Sequence, residues 1–269
     1  MILEAIQYAA TRVVTPKPFR PHIHSSVNLW ARAGRCAKDW APHEALCQAF
    51  VRETVAGMKE RRTAVVLGSG LLRDVPVEFL SKTFDTVVLV DLVHLASVRA
   101  WLKAKRLHNV RLISRDLSGL KDVLAGKTFE PLDFLRRVPY LDLVVSANLL
   151  SQIGVGAARA LETRKNGETA EVVPQLISAH LNGLAGLPCR MALLTDTLYR
   201  VSDRNGKVLE ESDLLGGIAA PSSMPQWSWT VAPFGEESRD YRIVHEVIAT
   251  TSASDFRIAG SGAMPHDGR

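Results

Sequence analysis

The chain has few cysteines and no long apolar run. Cys36, Cys47 and Cys189 are the only three cysteines in 269 residues. They are too scattered for a disulfide framework or a CxxC metal knuckle, so reduced, mostly buried thiols are expected. No stretch reaches the roughly 18 to 20 consecutive apolar residues that a membrane-spanning helix needs, and residues 1–10 lack a basic segment followed by an apolar one. A cytoplasmic protein without membrane contact is expected. The surplus of positive charge is small, 33 Lys+Arg against 28 Asp+Glu for a net +5. Its clusters at 59–62, 103–106 and 136–137 are short and lack interleaved aromatics, so nucleic acid is not the expected partner. Internal repeats and low-complexity blocks are also missing. What remains is a composition 46% hydrophobic and 23% charged, that of a core-forming chain long enough for one large domain or two small ones.

Residues 11–24 carry Pro16, Pro18 and Pro21 and are expected to be extended, because proline removes a donor and clashes with the preceding turn. Ser25 or Ser26 is expected to cap a helix to about residue 38, and Pro42 to open a second over about 43–60. Short apolar runs then alternate with helical stretches: 64–67, 86–90, 110–113, 141–146 and 191–195. Near-continuous apolar runs mark strands covered on both faces, and the alternation predicts a mostly parallel α/β sheet. After Asp196 the pattern predicts a hairpin over 199–209 turning at Asn205-Gly206, then an antiparallel edge pair at 227–231 and 241–250. The expected division is an N-terminal extension with lid helices over 1–62, an α/β domain over 63–251 and a loose tail over 252–269.

The most informative segment is Val65-Val66-Leu67-Gly68-Ser69-Gly70. An apolar strand running into Gly-x-Gly lets the backbone turn tightly and approach a ligand, and a helix expected just afterwards offers free amides. About twenty residues on, Val87-Val88-Leu89-Val90-Asp91 ends a second strand in a carboxylate, placed to accept hydrogen bonds from both hydroxyls of a ribose. A dinucleotide site is the rival. Its G-x-G-x-x-G fingerprint requires a third glycine where this chain has Arg73.

With Gly68, Gly70, Asp91, then Arg115-Asp116-Leu117 and Leu141 to Leu150, the chain resembles the class I S-adenosylmethionine-dependent methyltransferases over roughly residues 63–195. The resemblance implies a Rossmann-like sheet, S-adenosyl-L-methionine as cofactor and a small-molecule acceptor. It places Gly68, Ser69 and Gly70 at the methionine moiety, Asp91 and Leu92 at the ribose, and Asp116 with Leu117 at the adenine. Ser146, Ala147 and Asn148 would face the acceptor. Alternatives on the same residues are a non-catalytic binding module of this fold, an NAD-binding oxidoreductase and an RNA methyltransferase. The acceptor and the oligomeric state are left open.

Other residues carry two readings. Asp116 could instead cap a helix starting at Leu117. His94 lies three residues after Asp91, near the adenosine end or in packing. His180 falls on the apolar stripe Val173, Ile177, His180, Leu184, where a core histidine is the simpler reading. If the acceptor needs a base, Asp196, His180 and Asp142 are the candidates. His22 and His24 lack a third ligand, and no metal site is expected. Arg32, Arg35 and Lys38 share a helical face, either solvated or receiving an anion. Trp30 and Trp40 belong to the core or to a lid. Trp227 and Trp229 alternate on one strand, so both point the same way, into a pocket or beneath the tail.

Overall fold

The computed structural model describes residues 2–162, 169–221, 224–254 and 256–258. In chain order it has α1 (Ile2–Val14), a 3₁₀ turn (Lys17–His22), α2 (Ile23–Arg35), α3 (Ala37–Ala56), β1 (Thr63–Leu67), α4 (Val77–Thr83), β2 (Thr86–Asp91) and α5 (Ala96–Ala104). There follow β3 (Val110–Ser114), α6 (Leu120–Leu124), a 3₁₀ turn (Asp133–Arg137), β4 (Leu141–Ala147), α7 (Leu149–Glu162) and α8 (Thr169–Ala185). The chain ends in β5 (Arg190–Asp203), β6 (Val208–Asp213), β7 (Ile218–Ala219), β8 (Gln226–Ala232), β9 (Tyr241–Thr250) and β10 (Arg257–Ile258). None of these helices is long and apolar enough to cross a membrane.

The main sheet runs β3-β2-β1-β4-β5-β9-β8. The first five strands are parallel, and β9 and β8 close the edge antiparallel. This is the mostly parallel sheet with an antiparallel edge expected from the sequence pattern, and its strand order is the Rossmann-like one that the resemblance implies. Alternate residues serve opposite layers, as the period of two requires. Ala64 and Val66 pack with Val51 and Val55 of α3 on one face. Val65 and Leu67 pack with Ile177, Leu181 and Leu184 of α8 on the other. Fully burying such an aliphatic side chain contributes about 1.5 to 3 kcal/mol, so the two helix layers account for the continuous apolar strands.

Four local expectations are corrected. Residues 11–14 are helical, because the prolines begin at Pro16, just past the end of α1, and terminate that helix rather than preventing it. The second helix starts at Ala37, with Pro42 inside it. The predicted hairpin forms, with β5 and β6 paired antiparallel, but its first arm at 199–201 is the outer part of the single long strand β5 rather than a separate strand, and the pairing of β5 with β9 shifts register between Asp196 and Leu198. A bulge there lets a polar stretch continue the strand. The turn itself forms as expected: Gly206 has φ +84° and Asp203 Oδ1 accepts the Asn205 N–H. Within the supposed loose tail, Ala253 is buried and β10 pairs with β7; residues 259–269 lie outside the described residues.

Candidate functional site

The helix expected directly after the glycines begins only at Val77, and a loop intervenes. At its start Gly68 and Gly70 have φ +73° and +44°. The Gly68 N–H extends the sheet ladder onto the Val90 carbonyl at 3.0 Å. A Cβ on Gly68 would lie 2.7 Å from the Ala147 carbonyl oxygen, so both the backbone angle and the close approach of β4 demand glycine. Asp91, partly exposed, fastens this loop: Oδ2 accepts the Gly70 N–H and Oδ1 the Leu92 N–H, each at 2.7 Å. Desolvation pushes its carboxyl above the ordinary range, while the N–H groups and nearby His94 pull the other way.

Gly68, Asp91, Leu92, Asp116 and Leu117 line one cavity of about 310 Å³, with Leu149 and Ile153 of α7 and His22 from the N-terminal turn. That volume is at the small end of ordinary ligand cavities. Asp116 does not cap a helix at Leu117. Its Oδ1 accepts from the Ser118 N–H and hydroxyl, and α6 starts at Leu120 after Gly119 at φ +66°.

The other expected residues lie beside this cavity rather than in its wall. Ser69 is buried. Ser146 does not face an acceptor position as expected but the α8 layer, where its hydroxyl meets His180 Nε2 at 3.1 Å. An even step along β4 from Val144 puts it on that layer. Ala147 packs in the opposite core, its carbonyl against Gly68. Asn148, at φ +50°, donates its backbone N–H to Leu194 and Nδ2 to Asp74 Oδ2 at 2.9 Å. It hinges the cavity to a second polar cluster.

The candidate bases separate cleanly. Asp142 sits at the opposite end of β4, held by Arg62, whose guanidinium keeps the carboxyl low. At about 3.3 Å per residue it is roughly 20 Å from Asn148. His180 is a core residue, and burial lowers its pKa to about 4. His94 is also buried, bonding the Ile113 carbonyl through Nε2. Asp196 alone faces the α3 side near the strand ends, with Oδ2 2.9 Å from His245 Nδ1. Arg32 and Arg35 do not stand free: they pair with Glu237 and Glu236, respectively, in the loop between β8 and β9.

Sequence reading missed His43. It is buried in α3, stacked on Trp229 at 4.1 Å, and its Nδ1 accepts the Trp227 Nε1–H at 3.0 Å. Both tryptophans therefore lie under α3, not under the tail. Trp40 joins them, donating to the Val231 carbonyl. Their same-side alternation was the available signal. His43, Cys47 and Asp74 gather three metal-ligand types within 4.8 Å. The Cys47 sulfur is nearly equidistant from the two ring nitrogens, 3.8 and 3.6 Å, off the line along which either would bind a metal. With Nδ1 accepting from Trp227, the ring proton belongs on Nε2, which faces Asp74 Oδ1 at 3.4 Å. The trio reads as a hydrogen-bond relay.

A wider apolar groove of about 1020 Å³ runs between α1, α2 and α5, bordered by Trp30, Leu71 and Trp101. It shares no lining residue with the Gly68–Asp91 cavity.

No family model and no curated protein matches this chain. Among solved structures, it is similar to the DhpI-SAM-HEP complex at 13% identity, covering 81% of this chain and 94% of that one, with a TM-score of 0.38. It is also similar to a Burkholderia thailandensis 1,6-didemethyltoxoflavin-N1-methyltransferase with bound S-adenosylhomocysteine, at 15% identity, 86% and 90% coverage and TM-score 0.38. The N-methyltransferase NodS from Bradyrhizobium japonicum WM9 matches at 13% identity, 77% and 86% coverage and TM-score 0.36. Likenesses this distant decide neither ligand nor substrate.

Proposed function

We propose that this chain is an enzyme that transfers a methyl group from S-adenosyl-L-methionine to a small molecule. The observation that carries the reading is the meeting of the Gly68 turn, the Asp91 carboxylate and the Asp116–Leu117 edge around one cavity at the carboxyl ends of the parallel strands, where open α/β sheets bind ligands. The residues fit such a group. Asp91 Oδ2 keeps a lone pair beyond its bond from Gly70 for a ribose hydroxyl, while Oδ1 accepts from both Leu92 and Val93. Leu117, Leu149 and Ile153 offer apolar faces to a base, and Gly68 leaves room where any side chain would strike β4.

The bound donor supplies an electrophilic methyl group on a sulfonium. The chain's own part is to align the acceptor and keep water out. Asn148 hinges the cavity to the half-buried Asp74, and the buried Asp196 lies on the same α3 side, the side left for an acceptor. The dinucleotide alternative loses support at Arg73, whose side chain is taken up by Glu44 at 2.5 Å and whose carbonyl accepts from Gln48.

Calorimetric titration with S-adenosylhomocysteine and, separately, with NAD tests the reading. Saturable binding of the first ligand alone is expected; binding of NAD alone would replace methyl transfer with hydride chemistry.

A further inference from the structure

The polar side chains that the nucleoside end leaves unused converge on the α3 side of Asn148. Asp196 is 5% exposed; its Oδ2 accepts from His245 at 2.9 Å and from the Ser151 hydroxyl at 3.4 Å, and its Oδ1 has no partner within the protein. Asn148, equally buried, leaves its Oδ1 unpartnered, and so does Trp229 its indole Nε1. Asp74 and Asp196 both face histidines in their ion-pair contacts, His43 and His245. Arg73, next to Asp74, is committed to Glu44. Asn148 Nδ2 ties Asp74 to the end of β4 at 2.9 Å, and Ser151, three residues further on, reaches Asp196 at 3.4 Å, so both carboxylates lie at the same strand end.

A buried carboxyl group such as Asp196 is costly unless donors or a cation reach it. The unpartnered oxygens are acceptors, so a ligand must bring N–H or O–H groups, and a carboxylate would be repelled. Aromatic rings border the cluster: Trp229 stacks on His43, Trp227 bonds it, and Tyr199 lies 5.6 Å from the His245 ring. Carboxylates beside aromatic rings suit a cation better than a neutral alcohol.

Resting on the methyl-transfer reading, we propose that the acceptor is an amine, bound through its N–H groups between Asp196, Asn148 and Asp74 beside the Trp229 ring. The ammonium yields one proton to Asp196 Oδ1. The freed nitrogen pair forms the new C–N bond while the S–C pair remains on sulfur, so the positive charge passes from sulfur to nitrogen. His245, with 16% of its side chain exposed, connects Asp196 to solvent and gives the proton an outlet. Asp196 is thus the catalytic residue and His245 a positioning one.

The test is equilibrium binding to the full chain, without donor and then with S-adenosylhomocysteine, of two matched trios: phenethylamine, 2-phenylethanol and phenylacetate; hexylamine, hexanol and hexanoate. At least one amine should bind about tenfold or more tightly than its alcohol and acid, the gain of a charge-assisted bond. Asp196→Asn, near-isosteric, should reduce that preference to within about threefold, a neutral bond remaining. His245→Ala should slow labelled methyl transfer to the preferred amine with little change in its KM, and His245→Asn should restore part of it. An alcohol or acid binding as well as its amine overturns the proposal, as does no binding by any member or an undiminished preference in Asp196→Asn. If Asp196→Asn fails to fold, Asp74→Asn carries the same expectation. Amine preference without S-adenosylhomocysteine binding would sink the methyl-transfer reading and leave the amine site standing; the reverse result sinks the site alone.

Discussion

His180 illustrates how one buried side chain sets a property of the whole chain. It is fully buried beside Ser146, and desolvation lowers its pKa from 6.5 to about 4. Between those values the unfolded chain takes up a proton that the folded core refuses. Stability is therefore complete above about pH 6.5 and declines as pH falls toward 4, by roughly 3 kcal/mol at most from this group. His94, also lowered by burial, adds in the same direction. Urea unfolding of wild type and of the paired variant His180→Leu/Ser146→Ala should show a shallower loss between neutral pH and pH 4.5 in the variant. Equal slopes would mean that His180 takes up its proton in the folded state. The sequence already showed His180 on an apolar stripe, which made a core residue the simpler reading. Ser146 was not legible in the same way, because its facing depends on the strand register of β4, which the apolar run left ambiguous.

At the scale of elements, α1 is the helix the sequence hid. Its buried positions are Gln7 and Thr11, while Ile2, Leu3, Ile6 and Val13 are strongly exposed. The usual apolar-inward signal is therefore inverted. Its attachment is polar. Gln7 donates to Ser97, and Thr11 Oγ1 accepts the Ala96 N–H at 3.1 Å. Leu95, which precedes α5, offers no side-chain cap, so Thr11 supplies one from another helix. Thr11→Val should cost about 1 to 2 kcal/mol, the range for losing an N-cap, read as a lower urea midpoint with an unchanged slope. No change in midpoint would show that water replaces Thr11 there. Of the parallel strands, β1 to β4 were legible to within a residue, since few other structures bury a run such as Ala64 to Leu67 on both sides, whereas β5 runs eight residues past its apolar stretch. The His43–Trp227 bond joins positions 184 apart, and local pattern cannot report such a pairing.

The whole molecule is organised around the carboxyl ends of its parallel strands, where β1, β2 and β4 bring Gly68, Asp91 and Asn148 to one edge. The positive surplus is not concentrated into a free patch by the arginines whose contacts are known: Arg32, Arg35, Arg62, Arg73 and Arg200 all pair with carboxylates. The cavity edge was readable in advance because Gly68, Asp91 and Asp116 follow strand ends at a regular spacing. The polar cluster beyond Asn148 was not, because α3 and β8 build it. Cofactor affinity should thus depend on Asp91 far more than on any charge at the other end of the same strand. The direct measurement is calorimetric titration of wild type, Asp91→Ala and Asp85→Ala with S-adenosylmethionine, with circular dichroism to verify folding. Binding should weaken by about tenfold or more in Asp91→Ala, which loses charge-assisted bonds to the ribose, and remain at the wild-type level in Asp85→Ala. Unchanged affinity in a folded Asp91→Ala, or no binding by the wild type, would contradict the account.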